Sequence, residues 1–406
     1  MGTIPRDAHK PDVPEKQAPF DTMFAICFAW GGGRIMADNV TGSGPGTTLR
    51  LGASAPPEAA RRGRGAVSNP TSRFEAARRE TFHDPDWAAD DPAPLRTQVT
   101  PERSARIIAR NTSPDIPFDR SINPYRGCEH GCIYCYARPT HAWLGLSPGL
   151  DFESRIFAKP EAARLLLREL AAPGYRPDTI ALGTATDPYQ PAERTHRITR
   201  AVLEVLRDAR HPVGITTKSD LVLRDLDILA AMAADHLVLV AISLPTLDPD
   251  LARRLDPRAP RPEKRLAAMA RLSEAGVPVM VNVSPIIPGL TDHEIEAILA
   301  RARAHGASRI GHALLRLPGE VADLVADWFA ENYPDRKDRA FALLRQARGG
   351  RENDPRFGHR FRGEGAYAAM IGQRVRLTGT RLGFDFGRMP LNRDAFRKPG
   401  AQLALF

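Results

Sequence analysis

The sequence predicts an α/β fold, specifically an open, partial barrel of six βα units. Apolar strand segments alternate with amphipathic helical segments from residue 118 to residue 332, which is typical of a parallel sheet covered by helices. Six strand segments are too few for a closed eight-stranded barrel. We therefore expect an open barrel with its functional residues at the carboxyl ends of the strands, where the connecting loops converge.

The six βα units follow one another along the chain. Strands are predicted near residues 121–125 and at 179–184, 213–217, 237–244, 277–283 and 309–317. Helices are predicted at 162–171, 195–209, 221–234, 263–275, about 292–305 and 320–332. We expect Asp220 to cap the third helix, and Thr291 with Glu294 to form a capping box before the fifth.

Three further segments surround the predicted barrel. Residues 1–60 are rich in small residues and proline and lack periodicity, so we expect them to be disordered or to precede the true start, for which Met36 is a candidate. Residues 61–117 are predicted to be an arm packed on the core, and residues 333–401 a basic extension. No apolar stretch approaches about 20 residues. We expect a cytoplasmic protein.

The basic charge is concentrated at one end of the chain. The net charge is +9, but residues 336–406 hold 16 basic and 6 acidic residues, whereas residues 1–335 hold 41 basic and 42 acidic residues. A basic region of this kind is typical of a protein that binds a polyanion such as a nucleic acid. A solvated, arginine-rich surface is the alternative, because Arg greatly outnumbers Lys throughout the sequence.

Three of the four cysteines form one compact motif. Cys128, Cys132 and Cys135 are spaced as C-x3-C-x2-C just after the first predicted strand. Thiolates at this spacing suit an iron–sulfur cluster, and three ligands for four irons would leave one iron open. The alternative is a zinc site completed by His130 or His141. Structural zinc usually uses paired cysteine or histidine units, and the sequence contains no second cysteine pair.

This C-x3-C-x-aromatic-C motif, after the first strand of a six-unit partial barrel, resembles that of the radical S-adenosylmethionine (SAM) superfamily. The resemblance covers about residues 115–320. It implies a [4Fe–4S] cluster on the three cysteines and SAM on the fourth iron. Reductive cleavage of SAM would yield a 5′-deoxyadenosyl radical that removes a hydrogen atom from the substrate. The resemblance also places Tyr134 near the adenine of SAM, and implies an electron donor such as flavodoxin or ferredoxin.

Polar residues at the ends of the later strands resemble those of the spore-photoproduct-lyase-like group, also called DNA repair photolyase-like. The resemblance implies that Thr186 and Asp187 lie near the amino acid end of SAM. It places Lys218 at the SAM carboxylate and Ser243 at the ribose or carboxylate. A strand-end turn or a helix cap is the alternative role for each residue.

One position departs from the family pattern. Spore photoproduct lyase relays a hydrogen atom through a cysteine after the second strand, and the matching residue here is Thr184. An O–H bond is too strong to replace a thiol in this role, and the remaining cysteine, Cys27, lies in the first 60 residues. The resemblance therefore does not imply the same repair reaction, and the substrate stays open.

The last five residues form a second candidate motif. Gln402, Leu403, Leu405 and Phe406 resemble the bacterial sliding-clamp-binding pentapeptide Gln-Leu-x-Leu-Phe. Such peptides bind by placing a few anchors in apolar pockets. The alternative is that the three apolar residues cover the open edge of the barrel.

The sequence thus favours a radical SAM enzyme that acts on a nucleic acid, in DNA repair or modification. One alternative is a radical SAM enzyme with a protein or small-molecule substrate and a merely solvated basic region. The other is a non-enzymatic DNA adaptor that binds zinc or a cluster. The converging polar strand ends favour an enzyme, because an adaptor would not need them.

Overall fold

A computed structural model describes residues 61–74, 94–386 and 389–400 of the 406-residue chain. The predicted disordered segment with Met36 and Cys27 lies outside the described residues, as does the candidate clamp peptide at 402–406. In the described part of the chain, no helix is both long enough and apolar enough to cross a membrane.

The β-strands of the described residues alternate with helices after β4. The strands are β1 Gln98–Pro101, β2 Ile108–Arg110, β3 Arg120–Ile122, β4 Tyr125–Arg126, β5 Arg155–Ala158, β6 Ile180–Leu182, β7 Val213–Thr217, β8 Val238–Ser243, β9 Val279–Ile286 and β10 Arg309–Leu314. The α-helices are α1 Leu150–Ser154, α2 Ala162–Leu170, α3 Glu193–His196, α4 Ile198–Asp208, α5 Leu226–Ala234, α6 Pro249–Leu255, α7 Pro262–Glu274, α8 Ile295–Ala304, α9 Val321–Asn332, α10 Pro334–Gln346 and α11 Gly365–Arg381. Three 3-10 helices lie at Arg138–Leu144, Asp220–Asp225 and Asp292–Glu294.

The main sheet confirms the predicted fold class. Its seven strands lie in the order β2-β3-β6-β7-β8-β9-β10. All neighbours from β3 to β10 are parallel, and only β2 is antiparallel to its neighbour β3. Within the described residues β2 and β10 do not pair, so the six parallel strands form an open barrel.

The two faces of this sheet carry different side chains. One face packs against the helices in the main core and carries Ile215, Val240 and Val281. On the opposite face, which lines the barrel interior, Ala241 is paired with both Thr216 and Met280 on the neighbouring strands. Because neighbouring residues of a strand point to opposite faces, the apolar strands can bury one face against helices and use the other to line a cavity.

The first predicted strand, near residues 121–125, is in fact two strands in different sheets. β3 belongs to the main sheet, whereas β4 pairs with β5 in a small sheet of order β1-β5-β4. Asn123 and Pro124 separate them. Proline has no N–H group with which to continue a ladder of hydrogen bonds, so the chain leaves the main sheet here and leads into the cysteine motif.

Two predicted helices begin differently in the structure. The predicted helix at 195–209 is divided into α3 and α4 at Arg197, which has a left-handed backbone (φ 51°). The predicted helix at 221–234 starts as a 3-10 helix, and its cap is Ser219, whose side chain accepts a hydrogen bond from the Leu221 amide. The prediction that Asp220 is the cap is therefore wrong.

The predicted capping box before α8 is also wrong. The Thr291 hydroxyl accepts a hydrogen bond from the Ile287 amide, 2.9 Å away. Glu294 accepts hydrogen bonds from the Thr246 hydroxyl (2.5 Å) and the Leu247 amide (2.7 Å). The Thr291 side chain is occupied by an amide four residues earlier, and the Glu294 side chain by a neighbouring loop. A sequence pattern cannot reveal that competition for the two side chains of a capping box.

The C-terminal region packs on the β10 edge and the amino end of the barrel. Helix α11 lies against α8 and β10. Gly379 allows this close approach, since a Cβ there would lie 2.6 Å from the Ile310 side chain. After α11, the chain places Leu391 in a small apolar cluster with Leu239, Ala241 and Met280 inside the barrel.

Candidate active site

One cavity at the carboxyl end of the barrel brings together every site residue selected from the sequence. Its volume is about 130 Å³. The selected residues that line it are Cys128, Cys132, Cys135, Tyr134, Thr186, Asp187, Lys218 and Ser243. These residues come from the cysteine loop and the ends of β6, β7 and β8, so the parallel topology accounts for their convergence.

The cysteine loop is held against α1 by close backbone contacts. The Cys128 amide donates to the Phe152 carbonyl at 3.0 Å. Gly127 and Gly131 both have positive φ angles, of 76° and 68°. A Cβ on Gly127 would lie 2.8 Å from the Phe152 carbonyl oxygen, and one on Gly131 would lie 2.6 Å from the Glu153 carboxylate. Only glycine fits both the backbone conformation and the space at these positions.

A buried ion pair between Arg138 and Glu153 also stabilises the cysteine loop. Arg138 donates to the carbonyls of Cys132 (2.9 Å) and Gly131 (3.1 Å) and to the Glu153 carboxylate at 2.5 Å. Glu153 also accepts from the amides of Gly65 and Ala66, at 2.8 Å each. Both ionic side chains are fully buried. This pair therefore ties the cysteine loop, α1 and the start of the N-terminal arm into one unit.

The three thiols have an environment that suits iron better than zinc. Burial and then the charge of Asp256 raise the pKa of Cys132. Burial and then the charge of Cys128 raise the pKa of Cys135. The positive charge of Lys218 opposes both shifts. Such thiols ionise readily only beside a cation, which either metal would supply. Among the described residues, no group of three potential ligands that includes these cysteines lies within 4.8 Å of one another. Tetrahedral zinc would bring its sulfur ligands to about 3.8 Å, whereas a cluster spreads them over separate irons.

The two histidines of the zinc alternative have other roles. His141 Nε2 lies 3.0 Å from the Arg155 carbonyl oxygen, and the ring packs against Phe152 and Phe157. Burial lowers the pKa of His141 to about 4. His130 Nδ1 lies 3.3 Å from the Asp187 carboxylate. His130 also lines the cavity beside Cys128, so the structure removes His141 from the zinc alternative and leaves His130 next to the cysteines.

Asp187 connects three loops around the cavity. Its carboxylate accepts hydrogen bonds from the Thr217 hydroxyl (2.7 Å), the Lys218 amide (2.8 Å) and the Tyr189 amide (2.9 Å). Burial raises its pKa, but His130 and these hydrogen bonds more than offset that effect and lower the pKa to about 2. Asp187 therefore stays ionised and positions the loops, while its contact with SAM stays a prediction.

Thr186 and Gln190 hold the cysteine loop from the β6 side. The Thr186 hydroxyl donates to the Gly127 carbonyl at 2.6 Å and accepts from the Gln190 side chain at 2.9 Å. Gln190 in turn accepts from the Glu129 amide at 2.9 Å. These contacts assign a structural task to Thr186, and they identify Gln190 as a buried organiser that the sequence analysis did not select.

Lys218 supplies a half-buried positive charge to the cavity. Its ammonium nitrogen lies 5.7 Å from the centre of the Tyr134 ring, a distance that permits a cation–π interaction. Burial lowers its pKa, but Cys132, Asp256 and Asp187 more than compensate and raise the pKa above the ordinary value. The side chain is therefore a cation that can hold an anionic ligand group in the cavity.

A buried network links Tyr134 to the end of β8. The Tyr134 hydroxyl donates to Asp256 at 2.5 Å, and Arg265 donates to the same carboxylate at 2.9 Å. Arg265 also donates to the Ser243 carbonyl at 3.0 Å. The sequence analysis missed Asp256 and Arg265, because nothing in the local pattern distinguishes this arginine from the many others.

The β9 and β10 side of the cavity adds groups that were not selected from the sequence. Asn282, Arg316 and Phe361 line it. The Asn282 Oδ1 atom is buried and has no hydrogen-bond partner within the described residues. Since buried polar atoms are normally paired, this acceptor fits the amine or hydroxyl of a bound ligand, which SAM provides.

Thr184, which the family resemblance matches to the hydrogen-relay cysteine, also lines the cavity. Its hydroxyl lies 2.9 Å from Asn123 Nδ2, and Tyr136 donates a hydrogen bond to its carbonyl oxygen. Among the described residues that line this cavity, the only thiols are those of the cysteine motif. The match of Thr184 to the relay cysteine stays a prediction.

Comparison with known proteins supports the same family. The model of the radical SAM superfamily matches residues 122–302. An uncharacterized protein of Mycobacterium tuberculosis is 37% identical over 233 residues, which cover 57% of this chain and 68% of that protein. An uncharacterized protein of Methanocaldococcus jannaschii is 32% identical over 173 residues, 43% of this chain and 62% of that protein.

Among solved structures, those of spore photoproduct lyase are similar to this chain. They superpose with a TM-score of 0.50 at 14% identity, covering 70% of this chain and 80% of that chain. One structure in this set is a mutant with bound AdoMet and dinucleoside spore photoproduct. At this identity the likeness shows a shared fold.

Proposed function

We propose that this chain acts on a nucleic acid in DNA repair or modification. The chain belongs to the radical SAM superfamily. It is a radical SAM enzyme with a [4Fe–4S] cluster and SAM as cofactors. The observation that carries the proposal is the composition of the cavity. The cavity is lined by the three thiols and Lys218, and also by Arg316 and by Phe361 of the basic C-terminal region.

The proposal assigns specific residues to the binding of each cofactor. Cys128, Cys132 and Cys135 hold three irons, and the bound cofactors together supply a 5′-deoxyadenosyl radical that removes a hydrogen atom from the substrate. Lys218 binds the SAM carboxylate as a cation, and Asn282 accepts a hydrogen bond from a SAM amine or hydroxyl. Ser243 contacts the ribose or carboxylate, as the family resemblance implies.

The remaining residues position these groups and exclude water. Asp187 and Thr186 keep the loops after β6 and β7 against the cysteine loop through the hydrogen bonds described above. Tyr134 forms an apolar wall for the adenine, and its hydroxyl is kept in place by Asp256. A dry, ordered cavity protects a reactive radical from solvent and directs it to one substrate.

The basic C-terminal region supports a polyanionic substrate, although part of its charge is neutralised. Arg374 pairs with Glu296, Arg393 with Asp178, and Arg360 with Asp115. These acidic partners lie in residues 1–335, so the excess of +10 counted from the sequence overstates the charge that is available to a ligand. The cavity-lining Arg316 supports the proposal more directly, because it places positive charge where a substrate would enter.

The exact reaction differs from that of spore photoproduct lyase in this proposal. Structures of that protein contain a dinucleoside spore photoproduct, whereas Thr184 here occupies the position of the cysteine relay. We therefore propose a nucleic-acid substrate whose reaction needs no thiol at this position.

Two partners follow from the proposal. An electron donor such as flavodoxin or ferredoxin reduces the cluster, and a bacterial sliding clamp binds Gln402, Leu403, Leu405 and Phe406. A pull-down with the purified clamp tests the second partner, because deletion of residues 402–406 should abolish capture. Equal capture of the full-length and shortened chains would contradict it.

Salt-dependent binding tests the proposed substrate class. Anaerobically reconstituted protein should bind a DNA oligonucleotide, and its affinity should fall steeply between about 50 and 200 mM salt, because phosphate contacts release counterions. Binding that is absent at low salt would contradict the proposal. If 5′-deoxyadenosine still formed under those conditions, the result would favour a protein or small-molecule substrate.

A further inference from the structure

An alternating series of arginine and phenylalanine side chains leads from the cavity to the protein surface. The Arg316 guanidinium carbon lies 4.7 Å from the centre of the Phe361 ring. The Arg360 guanidinium carbon lies 4.8 Å from the ring centres of both Phe361 and Phe357. Arg316 and Phe361 line the cavity, whereas Phe357 is 57% exposed. We call these four side chains the Arg–Phe ladder.

The ladder is attached firmly to the barrel. Arg348 is buried and donates hydrogen bonds to the carbonyls of Leu314 (3.1 Å), Leu315 (2.8 Å), His359 (3.0 Å) and Arg360 (2.8 Å). One guanidinium therefore joins the end of β10 to the segment that carries the ladder. This attachment keeps Phe361 beside the cavity.

The middle and the ends of the ladder differ in their charge. Arg360 pairs with Asp115 at 2.6 Å and is buried, so it acts as a spacer between the two rings. At the cavity end, burial and then repulsion from Arg316 lower the pKa of Arg348 to about 10. The guanidinium of Arg316 thus lies at the cavity end with Arg348 nearby, while the surface end offers the exposed ring of Phe357.

This arrangement matches the chemistry of a nucleic-acid strand with an unstacked base. Arginine binds phosphate and stacks on bases, and aromatic rings stack on bases without regard to sequence. Enzymes that act on a base inside a duplex must first extrude it, so their surfaces need stacking partners close to the active site. An anionic small molecule could use Arg316, but it would not reach the exposed ring of Phe357.

We infer that the Arg–Phe ladder is the docking track for a single-stranded or locally extruded segment of nucleic acid. The nucleotide that reacts lies in the cavity beside Arg316 and Phe361, and a neighbouring base stacks on Phe357. The inference rests on the proposed function, and adds to it both the surface that receives the substrate and the unpaired state in which the strand binds.

Fluorescence anisotropy with iron-loaded protein tests this inference. The probes are a labelled single-stranded oligonucleotide and the duplex of the same sequence. F357A should weaken single-strand binding by about 5- to 50-fold, the effect of losing one stacked base. F357W should bind at least as tightly as the native protein. L377A removes an equally exposed apolar side chain from α11 (58% exposed) and should leave binding unchanged.

Each other outcome identifies which proposal fails. If the native protein binds neither probe at low salt, the nucleic-acid proposal fails, and the docking track fails with it. If the native protein binds but F357A binds equally well, the docking track alone is wrong. A loss of single-strand affinity in L377A as large as that in F357A would also overturn it, since the loss would then not depend on the stacking ring. Iron and sulfide content and the unfolding temperature should be the same in F357A and the native protein, which shows that the variant folds and retains its cluster site.

Discussion

The two ends of the barrel use buried side chains for different purposes. At the carboxyl end, Lys218 and Asp187 line a cavity and are joined by a hydrogen bond from the Lys218 amide. Asp256, behind the cavity, accepts a hydrogen bond from the cavity residue Tyr134. At the amino end, Leu391 packs with Leu239 and Met280 from inside the barrel. The difference shows how one sheet separates chemistry from stability: polar networks keep one end available to ligands, and apolar packing closes the other.

The largest expected effect is at the cysteine motif. C132A should lose the cluster and all 5′-deoxyadenosine formation, because the remaining two thiolates cannot complete the three-iron attachment. Iron and sulfide content, measured after anaerobic reconstitution, checks the first point, and product analysis checks the second. C27A is the control, and it should retain both properties. A C132A protein with full cluster content and activity would contradict the site.

The second prediction concerns the buried ion pair beneath the cysteine loop. E153Q leaves Arg138 as an uncompensated buried charge, which should lower the free energy of unfolding by about 3–5 kcal/mol and reduce cluster incorporation. Denaturant unfolding of the protein without cofactors measures the first effect. The matched change E161Q breaks the exposed pair with Arg164 and should have no measurable effect. Equal stability of the two variants would show that the pair does not support the loop.

At the amino end, L391A should destabilise the fold without altering the chemistry. Removing most of a buried leucine side chain leaves a cavity and costs about 2–4 kcal/mol. The amount of 5′-deoxyadenosine formed per cluster should match that of the native protein below the unfolding temperature. L377A changes an exposed leucine and serves as the control. A selective loss of activity in L391A, with unchanged stability, would erase the distinction between the two ends.

K218M should impair cofactor binding rather than stability, the reverse of L391A. Replacing the ammonium with an apolar group of similar length should weaken SAM binding by about 10- to 100-fold, because a charged hydrogen bond contributes about 1.5–3 kcal/mol. Iron content should stay at the native value. Equilibrium dialysis with labelled SAM measures the affinity, and K264M on exposed α7 is the control. Unchanged SAM affinity in a fully loaded K218M protein would remove Lys218 from the proposed site.

The smallest expected effect is a pH dependence at the amino end. Burial lowers the pKa of His211 to about 4, and Pro212 and Tyr175 occupy its two ring nitrogens. Because an unfolded histidine has a pKa of about 6.5, the stabilising contribution is present above that pH and is lost as the pH falls towards 4. Between pH 7 and 5 the loss is about 2 kcal/mol.

Unfolding measured at pH 7 and pH 5 tests this sign. H211N should lose less stability on acidification than the native protein, by about that amount, and H196N, which changes an exposed histidine, should behave like the native protein. If H211N and the native protein lose the same stability, His211 does not titrate on unfolding as described.

The sequence was sufficient for the features that repeat or cluster locally. Strands β6 to β10 follow from their apolar patterns, and Cys128, Cys132 and Cys135 from their spacing. The polar residues at strand ends, such as Lys218, converge because parallel strands end at the same edge.

Long-range pairing could not be read in the same way. Three buried arginines bind partners well away from them in the sequence: Arg138 binds Glu153, Arg265 binds Asp256 and Arg348 binds the Leu314 carbonyl, at separations of 15, 9 and 34 residues. Each is one arginine among many in the sequence. The capping box at Thr291 failed for the same reason, since Glu294 has partners on a distant loop. Phe361 enters the cavity only through the docking of a later segment on β10.

Hydrogen transfer from DNA to the SAM-derived product is the most direct test of a nucleic-acid substrate. Reconstituted protein would be reduced and incubated with SAM and deuterated single-stranded DNA, and the 5′-deoxyadenosine analysed by mass spectrometry. We expect product that carries deuterium from the DNA. Product without deuterium from fully loaded protein, in the same amount with and without DNA, would contradict a nucleic-acid substrate.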